Sequence, residues 1–303
     1  MHTDPTRVLY ISGAGRSGTT VLNGILDTLN GVSAFGEVWH FWKVVQDVDH
    51  RCGCRELLAD CPLWSPVIED YPSPDIICEM EGLRLSVGRI RQIWRIGGRS
   101  RRDSPELRMF TDAAVRIYRT LALHAECATL VDSSKTPAFA MLVGSSPEVS
   151  MRIVHLVRDP RAVVASWSRQ KQSRGVEHPE SLEARSLGHV LREWIFFNTI
   201  GLRYLRRRFP TMVVRLEDLV DDPTTTLEAI RGFAGVDATA SLVSPDGRVM
   251  VGGAHSVAGN PDRFAAGSTK LHASEDWRTL LPWWKRLVVT VVTYPVMRHY
   301  GYL

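Results

Sequence analysis

Apolar residues along the chain fall into short β-branched runs set between longer stretches with helical spacing. Val8-Leu9-Tyr10-Ile11, Leu130-Val131, Ile153-Val154-His155-Leu156-Val157 and Met212-Val213-Val214 hold too few polar positions to alternate. Each therefore reads as a strand covered on both faces, the kind found in parallel sheets. Thr19–Leu29, Pro105–Cys127, Pro160–Gln170, Leu182–Arg208 and Thr224–Phe233 read as helices between them. Strand alternating with helix predicts an α/β fold, a doubly wound sheet with mostly parallel central strands flanked by helices. Ligands of such sheets sit beyond the carboxyl ends of the strands, so the polar residues that follow each strand are the first candidates for chemistry. Residues 38–128 make a long excursion between two strands and read as an inserted helical subdomain or lid within a single domain, 1–303.

Composition narrows the class. The chain has 303 residues, 44% apolar and 23% charged, which suits one large globular domain with a real core and excludes a disordered one. Lys and Arg exceed Asp and Glu by only four, too little to indicate a nucleic-acid binder by itself. Met-His-Thr-Asp-Pro at the start lacks the charged-then-apolar order of a signal peptide. Leu287–Met297, the most apolar stretch, is too short to span a bilayer and is interrupted by Thr290, Thr293 and Pro295. Five cysteines argue against a fully paired secreted framework. A cytoplasmic enzyme or binding protein, with no transmembrane segment, is expected.

The strongest local signal is Ser12-Gly13-Ala14-Gly15-Arg16-Ser17-Gly18-Thr19-Thr20, between the first strand and an apolar helix. A glycine-rich turn there aims successive backbone N–H groups at an anion, and the helix start adds partial positive charge. Gly13 and Gly18 keep the spacing of a nucleoside-triphosphate P-loop, but Thr19 stands where the essential lysine belongs. A kinase or ATPase without that lysine loses its hold on the β- and γ-phosphates.

Gly15-Arg16-Ser17-Gly18-Thr19-Thr20 resembles the 5′-phosphosulfate loop of sulfotransferases that use 3′-phosphoadenosine 5′-phosphosulfate (PAPS), nearest to their carbohydrate and tyrosylprotein branches. The resemblance implies a P-loop-type fold. It also implies that Arg16, Ser17, Gly18, Thr19 and Thr20 hold the 5′-phosphate and sulfuryl oxygens, with Arg16 as the electrostatic clamp. Arg158-Asp159-Pro160, with Ser166 eight residues after Arg158, resembles the family's 3′-phosphate motif. Pro160 suits a first helical turn and Asp159 its cap. His255 to Phe264, followed by Gly267 and Lys270, resembles the late cofactor loop. There Arg263 and Lys270 are candidates for the 3′-phosphate or adenine end, and Ser256 for a contact near the sulfuryl group. Arg215-Leu216-Glu217-Asp218-Leu219 departs from the family pattern, with Leu216 in place of a tyrosine.

Sulfuryl transfer to an alcohol needs a base, in-line geometry and positive charge on the leaving oxygen. Glu37 lies at an offset from Arg16 that resembles the family's catalytic glutamate, and His40 is the rival base. Lys135, in Lys135-Thr136-Pro137, resembles the family lysine that shares leaving-group stabilisation with Arg16. PAPS is the expected co-substrate, with adenosine 3′,5′-bisphosphate as product and no metal required. The expected acceptor is a hydroxyl of a small molecule, sugar or lipid, and not a nucleic acid.

Three features stay open on sequence. His50, Cys52, Cys54 and Cys61 allow a zinc knot, a disulfide from Cys61 to Cys52 or Cys54, or free thiols. Arginines 84, 89, 91, 95, 99, 101, 102 and 108 allow an anionic or nucleic-acid partner, or simply a solvated helix face. Trp39 and Trp42 allow an acceptor pocket or lid core. The competing functions are a P-loop nucleotide or small-molecule kinase and a non-enzymatic nucleic-acid binder using Arg84–Arg108.

Overall fold

The computed structural model describes residues 4–88, 104–168, 185–236, 241–272 and 275–303. Five strands, β1 (Thr6–Gly13), β2 (Val32–Ala34), β3 (Thr129–Lys135), β4 (Val149–Val157) and β5 (Thr211–Arg215), form one sheet in the order β2-β3-β1-β4-β5. Every pairing in it is parallel. The doubly wound α/β fold expected from the run pattern is the one observed, with a small antiparallel ribbon, β6 (Val249–Val251) and β7 (Gly267–Thr269), beside it.

Alternation along β1 explains why its sequence looks uniformly apolar. Val8 and Tyr10 enter one core, with helix Pro137–Val143 and the helical region after β2; Leu9 and Ile11 enter another, with the first helix, Thr19–Leu26, and helix Pro223–Ala234. Both faces are covered, so period-two patterning leaves no polar side to see. A third cluster joins helices Pro160–Trp167 and Leu187–Phe196 to the C-terminal helix, Trp283–His299.

Local signals account for several element ends. Asp159 accepts from Arg161 N at 2.7 Å and Pro160 opens the helix, as expected. Ser104 caps Pro105–His124 in the same way, accepting from Leu107 N; such a cap stabilises by roughly 1 kcal/mol.

Two differences have physical causes. The single helix expected over Leu182–Arg208 is interrupted by a π-type turn at Phe197–Gly201, between Leu187–Phe196 and Leu202–Arg206. That turn brings Asn198 to His155, whose Nε2 lies 2.9 Å from its Oδ1. Leu287–Met297 belongs to one long helix whose buried line is Val289, Thr293 and Met297, while Trp283, Leu287 and Val291 face outward. Among the described residues, no helix is long and apolar enough to cross a membrane. Between β2 and β3 the described elements are all helical. The part of this segment at 89–103, with the arginines at 89, 91, 95, 99, 101 and 102, and the segment 169–184 lie outside the described residues.

Candidate active site

The turn after β1 is shaped by close backbone approaches. Gly13 and Gly18 have φ of 151° and 92°, and a Cβ on Gly13 would lie 2.4 Å from Leu156 O. On Gly18 it would meet Leu216 Cδ1 at 2.7 Å, so Leu216, the residue that departs from the family pattern, is the wall against which this turn closes. Arg16 itself is left-handed, with φ of 69°, a conformation non-glycine residues adopt at a cost and mostly where surrounding structure imposes it. Here Arg158 Nη1 donates to Arg16 O at 2.9 Å and helps hold the turn.

Polar groups in this turn are poorly satisfied. Arg16 Nη1 donates to Asn260 Oδ1 at 3.1 Å, but its Nη2 and the Ser17 hydroxyl are buried without a hydrogen-bond partner among the described residues. Gly18 caps the first helix with no side-chain cap bond among the described residues. Orphaned buried donors are costly and rare, and a helix start adds to their pull on an anion. Thr19 is buried, Thr20 half-buried, and the guanidiniums of Arg16 and Arg185 lie 4.8 Å and 4.3 Å from the Trp167 ring centre.

A second cluster stands at the adjacent strand end. Ser12 pairs with Lys135 across β1 and β3, with Ser12 Oγ donating to Lys135 O at 3.2 Å. Lys135 also has a positive φ, 68°. The turn that imposes it is organised by buried Asp132, which accepts from Ser134 N at 2.7 Å, from the Ser134 hydroxyl and from the Tyr118 hydroxyl. Burial pushes the Asp132 carboxyl up to about 6 against the pull of these bonds. Ser134 Oγ accepts from Trp39 N at 2.8 Å, tying β3 to the 3-10 turn Val38–His40 that follows Glu37.

Glu37 is the centre of this cluster. Its backbone N–H donates to Ala258 O at 3.1 Å, and preceding Gly36, φ 71°, fits against Ser256, where a Cβ would come within 2.7 Å of the serine Cβ. Lys135 Nζ forms an ion pair with Glu37 Oε1, and His40 Nε2 lies 3.4 Å from Oε2. Burial favours the neutral acid, but the Lys135 charge and the His40 contact outweigh it and hold the Glu37 carboxyl down at about 2. A Cβ added to Gly259 would lie 3.5 Å from Glu37 Oε1 and 4.0 Å from Thr20 Oγ1. The Gly13–Thr20 turn and the carboxylate thus face one short backbone segment.

The other expected residues are distributed as follows. Arg158 stands at the carboxyl end of β4 and Ser166 is half-buried on the helix Pro160–Trp167. Ser256 is buried behind Gly36, its hydroxyl 3.3 Å from Asn23 Nδ2 of the first helix. Buried Arg263 donates to Gly259 O at 3.2 Å and to Arg51 O at 3.5 Å, whereas Lys270 is exposed.

Three readings left open on sequence are settled by the packing, the first of them as a correction. His50 is not grouped with the cysteines: its Nε2 lies 2.6 Å from Val257 O, and His255 occupies the fourth place beside Cys52, Cys54 and Cys61. Trp39 and Trp42 are core, packed edge-on against Phe110 and Tyr71 respectively. Arg84 is likewise no solvated helix face; it is buried, paired with Glu81, and stacked 5.3 Å from the Trp39 ring centre. Sequence reasoning missed Asn23, Asn260, Trp167 and Arg185, each of which reaches the site by tertiary packing. The placement of Trp167, directly after Ser166, and of Asn260, inside the His255–Phe264 stretch, carried a local hint.

The profile of the Sulfotransferase family matches residues 9–240, from β1 past β5. The chain belongs to the sulfotransferase family. It is 28% identical to human carbohydrate sulfotransferase 3 over 181 residues, covering 54% of this chain and 36% of that protein. Over 175 residues it is 30% identical to human carbohydrate sulfotransferase 5, covering 52% and 41%. The matches span about two-fifths or less of these relatives' length. Similar solved structures include the sulfotransferase domain from the curacin biosynthetic pathway, at a TM-score of 0.54 and 15% identity over 97% of this chain and 98% of that one. The sulfotransferase domain from the Synechococcus PCC 7002 olefin synthase gives 0.50 and 17% over 100% and 97%. At these identities the likeness is one of fold. The Arg16 and Ser17 groups that lack partners among the described residues, together with the helix start beside them, suit an anionic ligand.

Proposed function

We propose that the chain transfers a sulfuryl group from PAPS to a hydroxyl of a carbohydrate, small-molecule or lipid acceptor, with sugars the first class to test. The observation that carries this reading is the meeting, at the ends of β1 and β3, of buried unsatisfied donors on Arg16 and Ser17 with the Glu37–Lys135 pair. The bound nucleotide supplies the transferable group and a phosphate leaving oxygen. Ser17, Thr19, Thr20 and the N–H groups from Gly18 onward hold its 5′ end, and Arg158 with Ser166 grips its 3′-phosphate. Arg263 and Lys270 belong to the segment that closes over the nucleotide. Arg263 acts there through its hold on Gly259.

Glu37 is the general base. A carboxylate held at about 2 is a weak one, so the pair with Lys135 must open during the cycle. When Lys135 turns its ammonium to the leaving oxygen, Glu37 remains buried with less opposing charge and its proton affinity rises. Arg16, with a planar fork of donors, shares the developing negative charge. His40 stays against the second Glu37 oxygen and orients the carboxylate, and Ser256 supports Gly36 from behind. The missing P-loop lysine at Thr19 speaks against the kinase reading.

The test is calorimetry with adenosine 3′,5′-bisphosphate, followed by an acceptor screen with labelled donor. Binding of the bisphosphate and transfer to at least one sugar hydroxyl is expected. Indifference to that nucleotide, together with turnover of ATP and Mg²⁺, overturns the proposal.

A further inference from the structure

Away from the reacting groups, four metal-ligating atoms converge between segments that are distant in sequence. Cys52, Cys54 and Cys61 lie in one short loop, and His255 joins them from 194 residues beyond Cys61. Cys61 Sγ is 3.5 Å from Cys52 Sγ and 3.8 Å from Cys54 Sγ. His255 Nδ1 is 3.2 Å from Cys61 Sγ and 4.0 Å from Cys52 Sγ, and all four atoms lie within 4.8 Å of one another. Zinc–sulfur bonds of about 2.3 Å in a tetrahedron put the sulfurs about 3.8 Å apart. The spacing found is that of a ligand set around one small cation.

We propose that Cys52, Cys54, Cys61 and His255 bind one structural Zn²⁺. A disulfide would draw two sulfurs to about 2.0 Å and leave the third thiol and the imidazole idle; here no pair is singled out and the histidine takes part. Three thiolates with one imidazole suit zinc among divalent ions. Four protein ligands leave no open position, and Cys52 and Cys61 are fully buried, so the ion serves structure rather than catalysis. The backbone around them is also fixed: Gly53 N donates to Ser256 O at 2.9 Å and Trp64 Nε1 to His255 O at 2.7 Å. A Cβ on Gly53 would strike Ala254 O at 2.2 Å, so the cysteine loop lies flush on the 254–256 segment.

The ion's place gives it a purpose. The segment it clamps continues into Val257, whose N–H donates to Phe35 O, and Ala258, which accepts from Glu37 N. It therefore clips together the layer behind the Glu37 turn while touching nothing in the Gly13–Thr20 turn. This inference stands whether or not the chain transfers sulfate.

The test is metal analysis of the purified full chain grown with zinc, with cobalt substitution as a second readout. About one zinc per chain is expected, and cobalt protein should show thiolate-to-cobalt charge-transfer absorption. Cys54→Ser and His255→Ala should lose most of the ion; His50→Gln, Cys78→Ser and Cys127→Ser should keep it. Chelation should lower the melting temperature. Less than about 0.2 zinc per wild-type chain, a mass showing two of these thiols oxidised to a disulfide, or a metal content unchanged in both Cys54→Ser and His255→Ala overturns it. The wild-type measurements decide even if a variant does not fold.

Discussion

The two halves of the site solve opposite problems. In the turn after β1, donors are built in and left wanting: Arg16 Nη2 and Ser17 Oγ are buried without partners among the described residues. At the end of β3 the charged groups are already spent on one another, Lys135 on Glu37 Oε1 and His40 beside Oε2. The first half needs only an anion of the right size, because its desolvation cost is already present in the free chain. The second is stable as it stands and must be pulled open. We infer a sequence of events from this contrast: the anion loop fills first, and the competition for Lys135 then releases Glu37 as a base.

The sharpest way to break the comparison is Glu37→Gln, which preserves shape and removes the proposed base. Turnover should fall by about 10²-fold or more, while adenosine 3′,5′-bisphosphate binds as before. A normal rate would move the base to His40. Next in size is Lys135→Met, read by pH. Lys135 and His40 are what hold Glu37 at about 2, against burial; Arg16 adds a more distant positive charge. A carboxyl lowered on folding stabilises above its unfolded value, about 4.3, and that contribution is lost as pH falls through about 2. In Lys135→Met the folded value rises, so the variant's stability deficit should be full at neutral pH and shrink on acidification. Denaturant titrations of both proteins at several pH values measure it, and a deficit independent of pH would separate Lys135 from Glu37. The smallest expected effect is selective: Arg158→Ala should weaken the bisphosphate more than adenosine 5′-phosphate. Equal losses would mean that Arg158 acts only through its bond to Arg16 O.

Legibility follows the same divide. The anion turn could be read because strand, glycines and helix are contiguous, and the Asp159–Pro160 cap because it needs only neighbours. The Glu37–Lys135 cluster could be picked out as candidate residues, but not as a locked pair, since its geometry depends on Asp132 and Ser134 bending β3 so that Lys135 turns back. Contacts across the chain were beyond reach. His50 is adjacent to the cysteines in sequence, yet the loop turns its ring to Val257 O, and the partner is His255. The π-type turn was invisible because Phe197–Gly201 keeps helical spacing; what it does is bring Asn198 to His155, which burial holds down at about 4. Trp39 and Trp42 kept both of their readings until tertiary packing placed them in the core.

The position of β1 has one more consequence. It lies between β3 and β4, and its alternate side chains wall off two separate cores. Neither layer can peel away without baring this strand, so its amides should be among the last to exchange with solvent, in the most protected cooperative unit of the fold. The turn proposed to receive the donor is thereby mounted on the part of the molecule that opens least often.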